Sequence, residues 1–60
     1  MKIYSNKIQC NNCKDIIEST HVHDFKYCSC NRVAVDGGMD YLKRLFLNID
    51  DIIELSEYEN

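Results

Sequence analysis

The chain has 60 residues, of which 45% are hydrophobic (four of them cysteines), 28% charged and 10% aromatic, with no proline and a formal net charge of −3. No apolar run approaches the ~18 residues of a membrane span, and the charge and aromatic content are not those of a disordered tail. What remains is one small domain, expected over residues 1–60, whose core is too small to hold without a metal, disulfides or oligomerisation.

The segment Met1–Ile8 carries one early lysine and then polar residues at every second or third position, so it has no signal-peptide h-region. A cytoplasmic protein is expected. In a reducing compartment paired cysteines serve more often as metal ligands or redox groups than as disulfides. Cys10-x2-Cys13 and Cys28-x-Cys30, with 14 residues between the pairs, come close to the spacing of treble-clef and ribbon-type zinc sites. The favoured reading is one Zn²⁺ per chain held by Cys10, Cys13, Cys28 and Cys30. A thioredoxin-type redox motif lacks its βαβ setting, a two-disulfide scaffold lacks its oxidising compartment, and an iron–sulfur cluster is the remaining alternative. Zinc binding would also supply the folding energy that the core lacks, leaving the apo chain largely unfolded.

Ile3–Ile8 reads as a strand leading into the first cysteine pair, and Asp15–Thr20 as the returning arm. Asn12, just before Cys13, tolerates the left-handed backbone a knuckle often needs. The same pattern repeats: Phe25–Tyr27 enters Cys28-Ser29-Cys30, Asn31 takes the turn, and Arg32–Asp36 leaves as a β-branched strand. Two knuckles facing each other would make a four-thiolate site. Between them lies His21-Val22-His23-Asp24, whose imidazoles share a side if the segment is extended. They read as a second metal site, substitute ligands or, most simply, polar loop residues.

Gly37-Gly38, the only glycines, follow a strand and mark a tight turn. In Asp36-Gly37-Gly38-Met39-Asp40-Tyr41 the glycine N–H groups, two carboxylates and a ring could meet a nucleotide-like ligand; a plain hairpin turn has the same residues. Residues 41–47 fit strand or helix, and the glycine loop favours strand. Asn48 would then cap a short C-terminal helix carrying Asp50 and Asp51 in its first turn and an Ile49/Ile52/Ile53 stripe. Residues 57–60 are expected to fray.

Residues 1–33 carry five bases against three acids, and residues 34–60 two bases against seven acids. Four thiolates around a divalent ion would add about two further negative charges. A molecule of this sign repels phosphate backbones, so non-specific nucleic-acid binding is not expected. A specific single-strand contact through Tyr4 and Tyr27 stays open as a lesser reading.

In combination, Cys10-x2-Cys13, Asp15–Ser19, His21-x-His23-Asp24-Phe25, Cys28-Ser29-Cys30, Val33–Gly38 and Tyr41-Leu42-x-Arg44 resemble a family of small, functionally undescribed proteins of Gram-positive bacteria and their phages and prophages. Asn12 and Asn31 depart from that pattern, standing where glycine is usual, as does Ile49 where a helix-starting proline is frequent. The resemblance implies a cytosolic zinc-ribbon-like protein linked to mobile elements, and no enzyme class. The sequence-based expectation is therefore a small α+β zinc-ribbon-like domain: β-hairpins with two zinc knuckles plus a short C-terminal helix. Its expected function is noncatalytic. It would bind and inhibit or sequester a host protein or nucleotide-type molecule through His21, His23, Asp24, Asp36, Gly37, Gly38, Asp40, Tyr41 and Arg44. Exposed Leu42, Leu45 or Phe46 would allow a homo-oligomer. The alternative is a zinc-ribbon nucleic-acid-binding or transcription-regulating module.

Overall fold

In the computed structural model all 60 residues are described. Eight short strands follow in order: β1 Lys2–Ser5, β2 Lys7–Cys10, β3 Ile16–Glu18, β4 Lys26–Tyr27, β5 Val33–Asp36, β6 Lys43–Phe46, β7 Ile52–Glu54 and β8 Glu57–Glu59. They form three antiparallel sheets, ordered β3-β2-β7, β4-β5-β6 and the ribbon β1-β8. There is no α-helix, and no helix is long and apolar enough to cross a membrane.

Each knuckle closes a hairpin. The β2–β3 hairpin pairs Lys7 with Glu18 and Ile8 with Ile17, and presents Cys10 and Cys13 at its tip. The β4–β5 hairpin pairs Tyr27 with Ala34 and presents Cys28 and Cys30. The two sheets meet over a buried cluster of Ile8, Cys10, Ile17, Cys28, Val33 and Val35, with Cys13 and Ile52 packed against it. So small a cluster confirms how little apolar burial this chain can muster.

The expected single strand Ile3–Ile8 is broken at Asn6, which is fully buried and splits β1 and β2 into different sheets. The expected C-terminal helix does not form. Asn48 does cap, its Oδ1 accepting from Asp50 N at 3.1 Å, but only a single 3-10 turn follows at Ile49–Asp51. The chain then extends, and Ile52, Ile53 and Glu54 pair with Cys10, Gln9 and Ile8. The reason is that β2 would otherwise present an unpaired row of N–H and C=O groups, and β-branched Ile52 and Ile53 suit the pleat better than a helix too short to pass its nucleation cost. The tail expected to fray is likewise tied down over Glu57–Glu59: Lys2 faces Glu59, Ile3 faces Tyr58, and Tyr4 OH donates to Glu59 Oε1 at 2.7 Å. Residues 41–47 contain the expected strand, with Leu45 opposite Ala34 and Phe46 opposite Val33.

Candidate metal centre

The four cysteine sulfurs all lie within 4.8 Å of one another. Cys30 Sγ is 3.6 Å from Cys10 Sγ and 3.5 Å from Cys28 Sγ. All four thiols are free, and these separations are far from the ~2.05 Å of a disulfide. A tetrahedral ion with metal–sulfur bonds of about 2.3 Å needs sulfurs about 3.8 Å apart, so the set fits one metal ion with little movement.

Local backbone geometry builds this arrangement twice. In the first knuckle Cys10 N donates to Asp15 O at 2.9 Å and Lys14 N donates to Cys10 O at 2.8 Å. The left-handed residue is Lys14, at φ 67°, rather than Asn12, because the hairpin reverses after Cys13. In the second, Cys28 N donates to Val33 O and Asn31 N to Cys28 O, both at 3.0 Å, with Asn31 left-handed at φ 62° as expected.

N–H groups face the sulfurs. Cys13 N donates to Cys10 Sγ at 3.5 Å. This bond is the largest influence on Cys10 and favours its thiolate, but burial and the neighbouring thiols of Cys30 and Cys13 outweigh it and push the group up to about 11. Cys30 goes the other way: the Asn12 side-chain amide and the Arg32 N–H favour its thiolate and bring it down to about 6 against the effect of burial. Burial opposes ionisation of Cys28, yet the N–H groups of Val33 and Arg32 lower it. A bound cation would deprotonate the whole set.

Five residues that the sequence did not assign to the site, Asn11, Asp15, Ser29, Arg32 and Asp51, hold the knuckles together. Asp15 Oδ2 accepts from Ser29 N at 3.0 Å and Ser29 Oγ at 2.6 Å, tying one knuckle to the other. Both knuckles are tied to the 3-10 turn: Asn11 N donates to Asp51 O at 2.8 Å, and Arg32 Nε to Asp51 Oδ2 at 3.2 Å.

The remaining candidate residues lie at the other ends of β2 and β5. Here the His21–Asp24 and Asp36–Tyr41 loops are brought side by side. Gly38 N donates to Ser19 Oγ at 2.9 Å, Ser19 Oγ donates to Asp24 O at 2.7 Å, and Gly38 sits against the His21 backbone. His21 and His23 are exposed on the loop joining β3 to β4, at the end of those strands away from the knuckles, and neither is in the four-sulfur cluster. Asp24 caps its own loop, accepting from Thr20 N at 2.9 Å and pairing with Lys26 at 3.0 Å; the Thr20 bond first, then Lys26, holds its carboxyl down at about 2.

The glycine N–H groups are not open to a ligand: Gly37 N is taken by Asp36 Oδ1 at 2.8 Å and Gly38 N by Ser19. Both glycines have positive φ, +102° and +53°, so the turn itself accounts for them. Arg44 is also fully engaged. Its Nε and Nη2 hold Glu54 bidentately at 3.0 and 2.7 Å, Nη2 also donates to Ser56 Oγ at 2.8 Å, and Nη1 donates to Asn6 Oδ1 at 2.6 Å and Lys43 O at 3.1 Å. Burial alone would raise the Glu54 carboxyl, and the Arg44 bonds outweigh it and lower it. Asn6 completes this hub, donating from Nδ2 to the carbonyls of Asp36, Gly38 and Tyr41 at 3.0, 2.9 and 3.2 Å. Its only sequence signal was a polar residue interrupting an apolar alternation. What the two loops leave exposed is side chains: His21, His23, Met39, Asp40 and Tyr41.

Residues 2–46 match the family described as a domain of unknown function, DUF7695. The chain belongs to this family. No curated protein and no solved structure matches it. The DUF7695 match takes in both knuckles and ends at the last residue of β6, so the 3-10 turn that braces the knuckles and the stretch from β7 to β8 that supplies Glu54 and Ser56 to Arg44 lie beyond it.

Proposed function

We propose that this DUF7695 protein is a noncatalytic zinc-binding module that works by presenting a surface to a partner. The observation that carries the metal reading is the four-sulfur cluster at the tips of two hairpins, with donor softness and spacing suited to Zn²⁺. Four thiolates fill a tetrahedral site and leave no position for substrate or water, so the ion would be structural rather than hydrolytic.

The partner surface is the pair of apposed loops, through the exposed side chains of His21, His23, Met39, Asp40 and Tyr41. With the glycine and Arg44 donors already engaged, this surface suits a protein better than a nucleotide-type ligand. Both arginines and Lys26 are paired with acids, which weakens the nucleic-acid reading further. Inhibition of a host factor by a phage- or prophage-encoded cytoplasmic protein of Gram-positive bacteria is the biological setting that the sequence resemblance suggests. Exposed Leu45 and Phe46 on the edge strand β6 would serve a second copy.

Native mass spectrometry of protein purified without chelator tests these points together. The expected spectrum shows one zinc per chain and no co-purified nucleotide. A metal-free folded protein would overturn the zinc reading, and a bound mass in the nucleotide range would move the function to small-molecule sequestration.

A further inference from the structure

Within the thiol cluster the four sulfurs are not equivalent. Cys10 and Cys28 are 0% and 2% exposed, Cys13 is half-buried, and Cys30 is the one exposed residue of the four, its sulfur contacts part-buried. Cys30 is also the thiol in contact with two others, at 3.6 Å from Cys10 and 3.5 Å from Cys28. An oxidant arriving from water therefore meets Cys30 first, and a sulfenic acid formed there has resolving sulfurs already in place. Its two neighbours differ in what a bond to them would demand. Cys28 is two residues away in a turn pinned by the Asn31-to-Cys28 and Cys28-to-Val33 backbone bonds, and a bridge across the one intervening residue, Ser29, is strained. Cys10 lies on the other hairpin, and the Asp15–Ser29 bonds hold the two tips together while the sulfurs close.

We propose that Cys30 is an oxidation site, and that hydrogen peroxide joins it to Cys10, exchanging a metal staple between the knuckles for a covalent one. This rests on the zinc reading above. The Cys30 thiolate attacks one peroxide oxygen and breaks the O–O bond, giving Cys30 sulfenic acid and releasing hydroxide. The Cys10 thiolate then attacks the sulfenyl sulfur and expels a second hydroxide as the S–S bond forms. The two sulfurs together lose two electrons, and with two protons from solvent the peroxide ends as two waters. Cys13 and Cys28 alone remain as ligands, two where four had been, and the ion is released. In the reduced cell the chain would be stapled by metal, and under peroxide stress by a disulfide.

The test titrates the zinc-loaded full chain with hydrogen peroxide below one equivalent, reads released zinc with a chromophoric chelator, and maps the product by non-reducing digestion. The expected product is a Cys10–Cys30-linked peptide pair, formed in step with one zinc released per bridge and reversed by dithiothreitol plus zinc. Cys30→His keeps four ligands while removing the exposed thiol, and should slow peroxide-driven zinc release roughly tenfold or more. A first bridge between Cys28 and Cys30 or between Cys10 and Cys13, or peroxide-driven release unchanged in Cys30→His, would overturn the proposal with the zinc reading intact. Absence of metal from the untreated protein would overturn both. If Cys30→His does not load zinc, the peptide map of the unaltered chain still decides.

Discussion

The two ends of the molecule solve the same problem with different chemistry. Strands β2 and β5 run through a six-residue core, and the chain must be pinned at both ends of them. At one end four sulfurs converge with no covalent link among them. At the other, Asn6, Arg44, Ser19 and Ser56 satisfy carbonyls and N–H groups that the loops leave without ladder partners, and no buried side-chain nitrogen or oxygen is left unbonded. On the zinc reading the thiol end depends on something from outside the chain; the asparagine end is self-contained. A domain too small for burial alone can use both devices, and they should fail under different insults.

The largest expected effect is at the thiol end. Cys28→Ser, or chelation of the unaltered protein, should abolish cooperative folding, because apparent zinc-binding energies of about 10–16 kcal/mol exceed the whole stability of a domain this small. Amide-shift dispersion in ¹H–¹⁵N spectra would show it, and a dispersed spectrum with excess chelator would mean that the asparagine end suffices alone. Next, Asn6→Ala should cost about 3 kcal/mol, since it strands three buried or part-buried carbonyls and one Arg44 N–H, while zinc stoichiometry stays at one. Chemical denaturation of the zinc-loaded variant measures it. A neutral result would remove the hub from the account.

Gly38→Val comes below that, at about 1–3 kcal/mol, because the residue has φ +53° and a Cβ there would strike the His21 backbone. Melting of the zinc-loaded variant reports this, and no change in midpoint would show that the two loops can separate freely. The smallest effect separates the ends by pH. Asp24 has a folded pKa of about 2 against an ordinary 3.8, so its stabilisation is complete above about pH 4 and fades only as pH falls toward 2. Thiolate protonation at the other end begins at higher pH. Melting curves of the unaltered protein and Asp24→Asn should therefore fall in parallel from pH 8 to 5; curves that converge within that window would show that Asp24 is not held as its contacts imply.

Hairpin tips at Cys10–Cys13 and Cys28–Cys30, the turn at Gly37-Gly38 and the strand through Lys43–Phe46 were legible in the chain because each is written in neighbouring residues: ligand spacing, positive-φ residues and β-branched runs. The same local grammar misread residues 48–60. Asn48, the paired aspartates and the isoleucine stripe do specify a helix start, and they delivered one turn of it. The open edges of β2 and β1, more than 40 residues away, then took the rest as strands. Arg44 and Asn6 were illegible for a related reason. Nothing near Arg44 in sequence announces that all of its N–H groups will be engaged inside the fold, and nothing near Asn6 announces its burial. By itself, then, the sequence determined which four cysteines cluster, the two hairpin tips that carry them and the turns, which depend on short-range spacing. Only the tertiary structure decided which backbone edges needed partners and which polar side chains were consumed in supplying them, because unpaired buried hydrogen-bonding groups are costly wherever in the chain their partners must come from.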